Sequence, residues 1–154
     1  MKEPAFKKVR VIQLLSQAKK PEAPLWLLAV MEQELKVNCR LTLQKRSRGT
    51  TTGTAWSRTV LEADPDYQSA RIHLSISSEE DSRFTLFVAL HEIAHVNVGA
   101  HHQHDNIWLA EAMRLYKKYD LVAWLAEAFE QGYNTYSSEK KAILKANRRK
   151  AKRS

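Results

Sequence analysis

Residues 82–98 read SRFTLFVALHEIAHVNV, and no other stretch of the chain restricts the fold as strongly. Leu86, Val88, Ala89, Leu90, Ile93, Ala94 and Val96 make a helix over this segment apolar nearly all round, so it has to be buried. The same segment carries His91, Glu92 and His95, and buried imidazoles and carboxylates need partners. Any fold of this chain must therefore surround one helix and also satisfy its polar groups. His91-Glu92-Ile93-Ala94-His95 is the HExxH pattern. Residues four apart share a helix face, so His91 and His95 can offer two ring nitrogens to one metal ion while Glu92 leans toward it without binding. That arrangement is suited to metal-assisted hydrolysis.

A catalytic zinc needs a third protein ligand and an open position for water. His101, His102, His104, Asp105 and Glu111 are the candidates that follow. His101 stands ten residues after His91, the third-histidine distance of HExxHxxGxxH, although Gly99 comes one place late for that pattern. Asp105 is well suited to cap a helix, and Glu111 would supply an acidic ligand from that helix. A closed set of His91, His95, His101 and His104 would instead make a structural site with no room for water. Spacing alone leaves these alternatives open.

Around the central helix the pattern predicts an α+β domain with a three-stranded, mainly antiparallel sheet and flanking helices. A first helix is expected over 5–20, with Phe6, Val9, Ile12, Leu14 and Leu15 at near-helical spacing before Pro21 and Pro24. A second is expected over 24–36, packing through Leu25, Leu28, Met31 and Leu35 with Trp26 beside them. Strands are expected at 38–44, 53–61 and 71–77, with a turn at 63–66. The last strand alternates, Ile72, Leu74 and Ile76 against Arg71, His73 and Ser75, and its polar face could pair with an extended peptide if it is an edge. Ser77 or Ser78 is expected to cap the HExxH helix, with Glu79, Glu80 and Asp81 in its first turn, and Gly99 to end it. Further helices are expected from Asp105 and over 121–131, the latter stopped by Gly132.

Charge divides the chain unevenly. Residues 137–154 hold eight Lys and Arg against one Glu, whereas residues 1–136 carry 17 basic and 16 acidic groups. The expected organisation is one domain over 1–136 followed by a flexible basic tail over 137–154. Lys145, Arg148, Arg149, Lys150, Lys152 and Arg153 of that tail are the candidate contacts to nucleic-acid phosphates, and Arg40, Lys45, Arg46 and Arg48 form a smaller cluster. The tail lacks aromatic residues, which favours sequence-independent contact over base stacking. Cys39, the single cysteine, excludes an internal disulfide and a cysteine zinc ribbon, and it reads as a small strand hydrophobe. The longest apolar run, Leu25 to Met31, is too short to span a bilayer, and MKEPAFKKVR has no apolar export core. A monomer in the reducing cytoplasm, without membrane contact, is expected.

The segment HEIAHVNVGAHHQHDNIWLAEAM resembles the active-site region of the SprT-like and WLM zinc metallopeptidases, in which HExxH is followed by a histidine that introduces a helix and an aromatic residue four places later. That step is His104 to Trp108 here, and His104-Asp105 is similar to the His-Asp pair of the WLM form. The order also matches upstream, with Gly53, Ala55 and Trp56 in one strand and Ile72, Leu74 and Ser75 in the next; the resemblance spans roughly residues 22–116. It implies a small zincin-like fold, one Zn2+ per chain held by His91, His95 and His104, and Glu92 as general base in peptide hydrolysis. Asp105 stands where SprT proteins commonly have glycine. The cysteine ribbon of many relatives is absent, so DNA contact would fall to the tail or the Arg40–Arg48 cluster. DNA-associated proteins are the implied substrates; the competing expectation is a nucleic-acid-binding or regulatory protein with a structural or vestigial zinc site.

Overall fold

The computed structural model describes residues 11–13, 23–45, 53–61, 64–76, 81–99 and 102–153. Its elements run β1 (Val11–Gln13), α1 (Leu25–Glu34), β2 (Asn38–Lys45), β3 (Gly53–Leu61), β4 (Asp64–Ile76), α2 (Ser82–Val98), α3 (Asn106–Lys118), α4 (Val122–Glu130) and α5 (Ser137–Arg153). The α+β class holds, but the sheet differs from the expected three-stranded, mainly antiparallel one. It has four strands in the order β1-β2-β4-β3, with β1 and β4 both parallel to β2 and only β3 antiparallel to β4. Alternation in a sequence fixes which face of a strand is buried, not its direction or its neighbours. Here the parallel register sets Cys39, Leu41 and Leu43 beside Ala70, Ile72 and Leu74, which makes one continuous buried row.

Two consequences follow for the strands. The 71–77 segment belongs to β4, which is central rather than an edge, so its backbone is committed to β2 and β3 and is closed to an added strand. Its polar side faces outward as expected, where His73 Nδ1 lies 2.8 Å from Thr42 Oγ1 across the β2–β4 pair. β4 also begins at Asp64, inside the stretch expected to turn. At the N-terminus, Val11–Gln13 is a strand within the span expected to be helical; the rest of 5–20 lies outside the described residues. Val11 opposes Cys39, so the β-branched pair Val11 and Ile12 extends the sheet.

In α1, Leu27, Met31 and Glu34 point inward, while Leu25 is 84% exposed and Trp26 lies on the outside. A run as apolar as LWLLAVM has no clear stripe, so its periodicity did not fix the buried face. α2 is capped by Asp81, whose Oδ1 accepts from the Arg83 N–H at 2.9 Å, and not by Ser77 or Ser78. It ends as expected at Gly99, whose φ of 100° suits glycine. Asp105 caps α3 as expected, accepting from the N–H groups of Ile107 and Trp108 at 3.0 Å each. Cys39 is buried in the sheet, where burial pushes its thiol up to about 12 and makes it unreactive. Among the described residues no helix is long and apolar enough to cross a membrane.

The largest departure is at the C-terminus. The expected flexible tail is the helix α5, and its Glu139 and Ile143 are fully buried. These residues stand four apart on one face, while Lys145, Arg148, Arg149 and Lys150 remain exposed. Lys, Arg, Ala and Leu are all good helix formers, so a basic run with interspersed apolar residues folds once one face has a place to dock. Lys152 and Arg153 are helical, but their side chains lie outside the described residues, as do Arg46 and Arg48. Ile143→Ala is expected to lower stability by about 2–5 kcal/mol, read as the midpoint of urea unfolding. A loss below about 0.5 kcal/mol would mean the segment is a solvated tail.

Candidate metal centre

α2 carries His91 and His95 on one face, and the turn before α3 brings the third ring to them. Gly99 reverses the chain, the N–H of His102 donates to the Gly99 carbonyl at 3.1 Å, and Gln103 takes a φ of 47°. His104 is thereby returned to α2. Its Nε2 lies 3.2 Å from Nε2 of His91 and 3.2 Å from Nε2 of His95. Nitrogens bound about 2 Å from a tetrahedral ion sit about 3.3 Å apart, so this spacing is that of three ligands on one ion. Trp108, one turn into α3, is the shared support. It is fully buried, its Nε1 donates to the His91 carbonyl at 3.3 Å, and its ring stacks on His95 at 5.0 Å. The indole also meets the rings of His91 and His104 edge-on at 4.7 Å.

Electrostatics favour the neutral, ligand-competent form of two of the rings, His95 and His104. Burial, reinforced by the neighbouring His91 and His104, pushes the His95 pKa down to about 4; burial and His91 likewise lower that of His104. Neutral rings cannot satisfy one another here. The His104 Nε2 is either one N–H donor or one lone-pair acceptor, so neutral rings cannot make a good hydrogen bond across both of its 3.2 Å contacts at once. A cation at their centre resolves that conflict, and the donor set fits one. Glu92, next in sequence to His91, is buried, and burial pushes its pKa up to about 7 against the opposing effect of His91.

Of the residues singled out from sequence, His91, His95 and His104 come together as the one possible metal cluster among the described residues, and Glu92 is buried and interacts electrostatically with His91. Glu111 does not join them. It accepts from Asn97 Nδ2 at 2.9 Å and pairs with Arg114 at 2.6 Å, while Asn97 also donates to the Glu34 carbonyl at 2.9 Å. His102 turns to Asp105 at 2.9 Å, and His101 lies outside the described residues. The cations Lys145, Arg149 and Lys150 lie elsewhere, along a groove between α5 and the α3–α4 region.

Sequence reasoning missed the residues behind and beside the cluster. Glu139 of α5 lies 3.0 Å through Oε2 from His91 Nδ1 and also accepts from the hydroxyls of Tyr116 and Thr135. Burial pushes the Glu139 carboxyl up, but its bonds to His91, Thr135 and Tyr116 prevail and hold it below the ordinary range. Tyr136 stacks on His104 with ring centres 3.7 Å apart and remains 54% exposed. The one available signal was that Glu139 is the sole acid among the eight basic residues of 137–154.

The chain matches no protein-family model, no curated protein and no solved structure. Titration with cobalt(II), followed by visible absorption, is expected to saturate at one ion per chain. His104→Ala should abolish that site, whereas His102→Ala and Glu111→Gln should leave the stoichiometry unchanged; loss with Glu111→Gln would point to an acidic third ligand.

Proposed function

We propose that the chain is a zinc-dependent metalloendopeptidase of SprT-like type, with His91, His95 and His104 holding the ion and Glu92 serving as general base. The observation that carries this reading is the convergence of three Nε2 atoms at ligand spacing beside a buried carboxyl that is not one of the ligands. Imidazole donors suit zinc among the available metals. Bound there, zinc would lower the pKa of a water molecule to about 7 and polarise a scissile carbonyl.

The chain's own residues supply the rest. Glu92, with a pKa near neutrality, is suited to take a proton from water and return it to the leaving amine. Trp108 holds the three rings in place from behind. Tyr136 is exposed and stacked on His104, so it forms an aromatic wall on the solvent side. His102 is turned away to Asp105, and an ion held by three protein ligands would keep a position for water.

A second reading, nucleic-acid binding, rests on the exposed cations Lys145, Arg148, Arg149 and Lys150 of α5. Combined with the first, it gives a peptidase acting on DNA-associated proteins. Zinc-loaded protein is expected to cleave an unfolded substrate such as casein. Glu92→Gln should reduce the rate by about 10²–10⁴-fold while retaining the metal. DNA binding should weaken steeply with salt, and replacing Lys145, Arg148, Arg149 and Lys150 together by Ala should flatten that dependence. DNA binding without proteolysis under any condition, with or without DNA, would leave the nucleic-acid reading in place and remove the peptidase.

A further inference from the structure

The bond between Glu139 and His91 joins the metal cluster to the C-terminal helix. Glu139 is fully buried, and a buried carboxylate is costly unless it is well bonded. It has three partners: His91 Nδ1 and the Tyr116 hydroxyl on Oε2, and the Thr135 hydroxyl on Oε1. An ionised carboxylate only accepts, so each partner must donate to it. The bond to Glu139 thereby places a proton on His91 Nδ1, so the tautomer it selects is the one whose Nε2 carries a lone pair toward the cluster. Among the described residues no carboxylate bonds His95 or His104 in this way.

We propose that Glu139 is the positioning residue of the metal centre, and that α5 docking and metal binding are coupled through its bond to His91. The inference rests on the metal-binding reading above. Glu139 acts through His91 by fixing its tautomer and ring orientation, and by making Nε2 the better donor as its hydrogen bond draws on the Nδ1 proton. Linkage is reciprocal: whatever the docked helix adds to metal affinity, the metal adds to docking. The cationic residues Lys145, Arg148, Arg149 and Lys150 are on the same helix, so metal occupancy governs how firmly that basic surface is held on the body.

The test compares wild type with Glu139→Gln, which keeps the side-chain shape and one acceptor oxygen but loses the charge. Zinc affinity, measured by chelator competition, is expected to fall about 10–100-fold. In 15N-histidine NMR of the metal-free proteins, His91 should be protonated on Nδ1 in wild type and become a mixture of tautomers in the variant. Amide exchange over 140–148 should slow on adding zinc to wild type, and lose most of that response in Glu139→Gln. Ile143→Ala, which weakens docking but keeps the carboxylate, should retain the His91 tautomer and separate positioning from general loss of packing. A Glu139→Gln affinity within twofold of wild type, or a His91 tautomer unchanged by the substitution, would overturn the inference. Wild type that takes up no zinc would overturn the metal reading and the coupling with it; the metal-free tautomer would still decide whether Glu139 orients His91.

Discussion

The fold is organised by the need to satisfy polar groups on a helix that is buried along most of its length. α2 hides His91, Glu92 and Asn97 among Phe87, Ala89, Leu90, Ile93, Ala94 and Val96. Asn97 and the two histidines each fix the place of another element. Asn97 is bonded to the end of α1 through the Glu34 carbonyl and to α3 through Glu111, while the Lys36 N–H donates to its Oδ1 at 3.1 Å. His91 requires the first turn of α5, and His91 and His95 require the turn that carries His104. Unpaired, any of these groups would cost more than a typical packing contact contributes, so the apolar core and the polar cluster specify the same arrangement.

What sequence made legible follows from this. Three residues of the cluster region were legible from helical spacing, His91 and His95 four apart with Glu92 between them, whereas spacing left the third histidine open and only the resemblance pointed to His104. The buried row of β4 at Ile72 and Leu74 was likewise legible from local alternation. Strand order and direction were not, because parallel pairing of β2 with β4 depends on a connection whose path is not encoded in alternation. The inward face of α1 was hidden by an excess of apolar residues. α5 was hidden by the opposite problem, since eight cations dominate a segment whose contacts inside the fold run through Glu139 and Ile143. A charge run reports the solvated face of a helix and says little about the face that docks.

Thr135, Tyr136 and Glu139 lie within five residues, in the last stretch of chain before and into α5, and all three touch the cluster or its support. Local pattern could not assign them, because Glu139 and Tyr136 act on His91 and His104, each more than 30 positions away in sequence, and Thr135 acts through Glu139. Thr135 anchors Glu139, Glu139 anchors His91, and Tyr136 stacks on His104. The segment therefore ties the polar cluster to α5, whose Glu139 and Ile143 are buried in the fold.

Charge balance ties these observations together. A divalent ion enclosed by three neutral imidazoles brings two positive charges into a low-dielectric setting, and such charges are tolerated only with nearby compensation. Two buried carboxyls accompany the cluster without belonging to it, Glu139 bonded to His91 and Glu92 next to His91 in sequence. Glu139 is held ionised by its hydrogen bonds, while Glu92 is poised near neutrality by burial, and a cation close by would draw it toward the charged form. Together they match the charge of the proposed ion and divide two tasks between them. The carboxylate with three hydrogen bonds is saturated and suited to hold His91, whereas the carboxyl poised near neutrality is suited to exchange a proton. The surroundings of each carboxyl, more than its position in the sequence, set which of these two roles it suits.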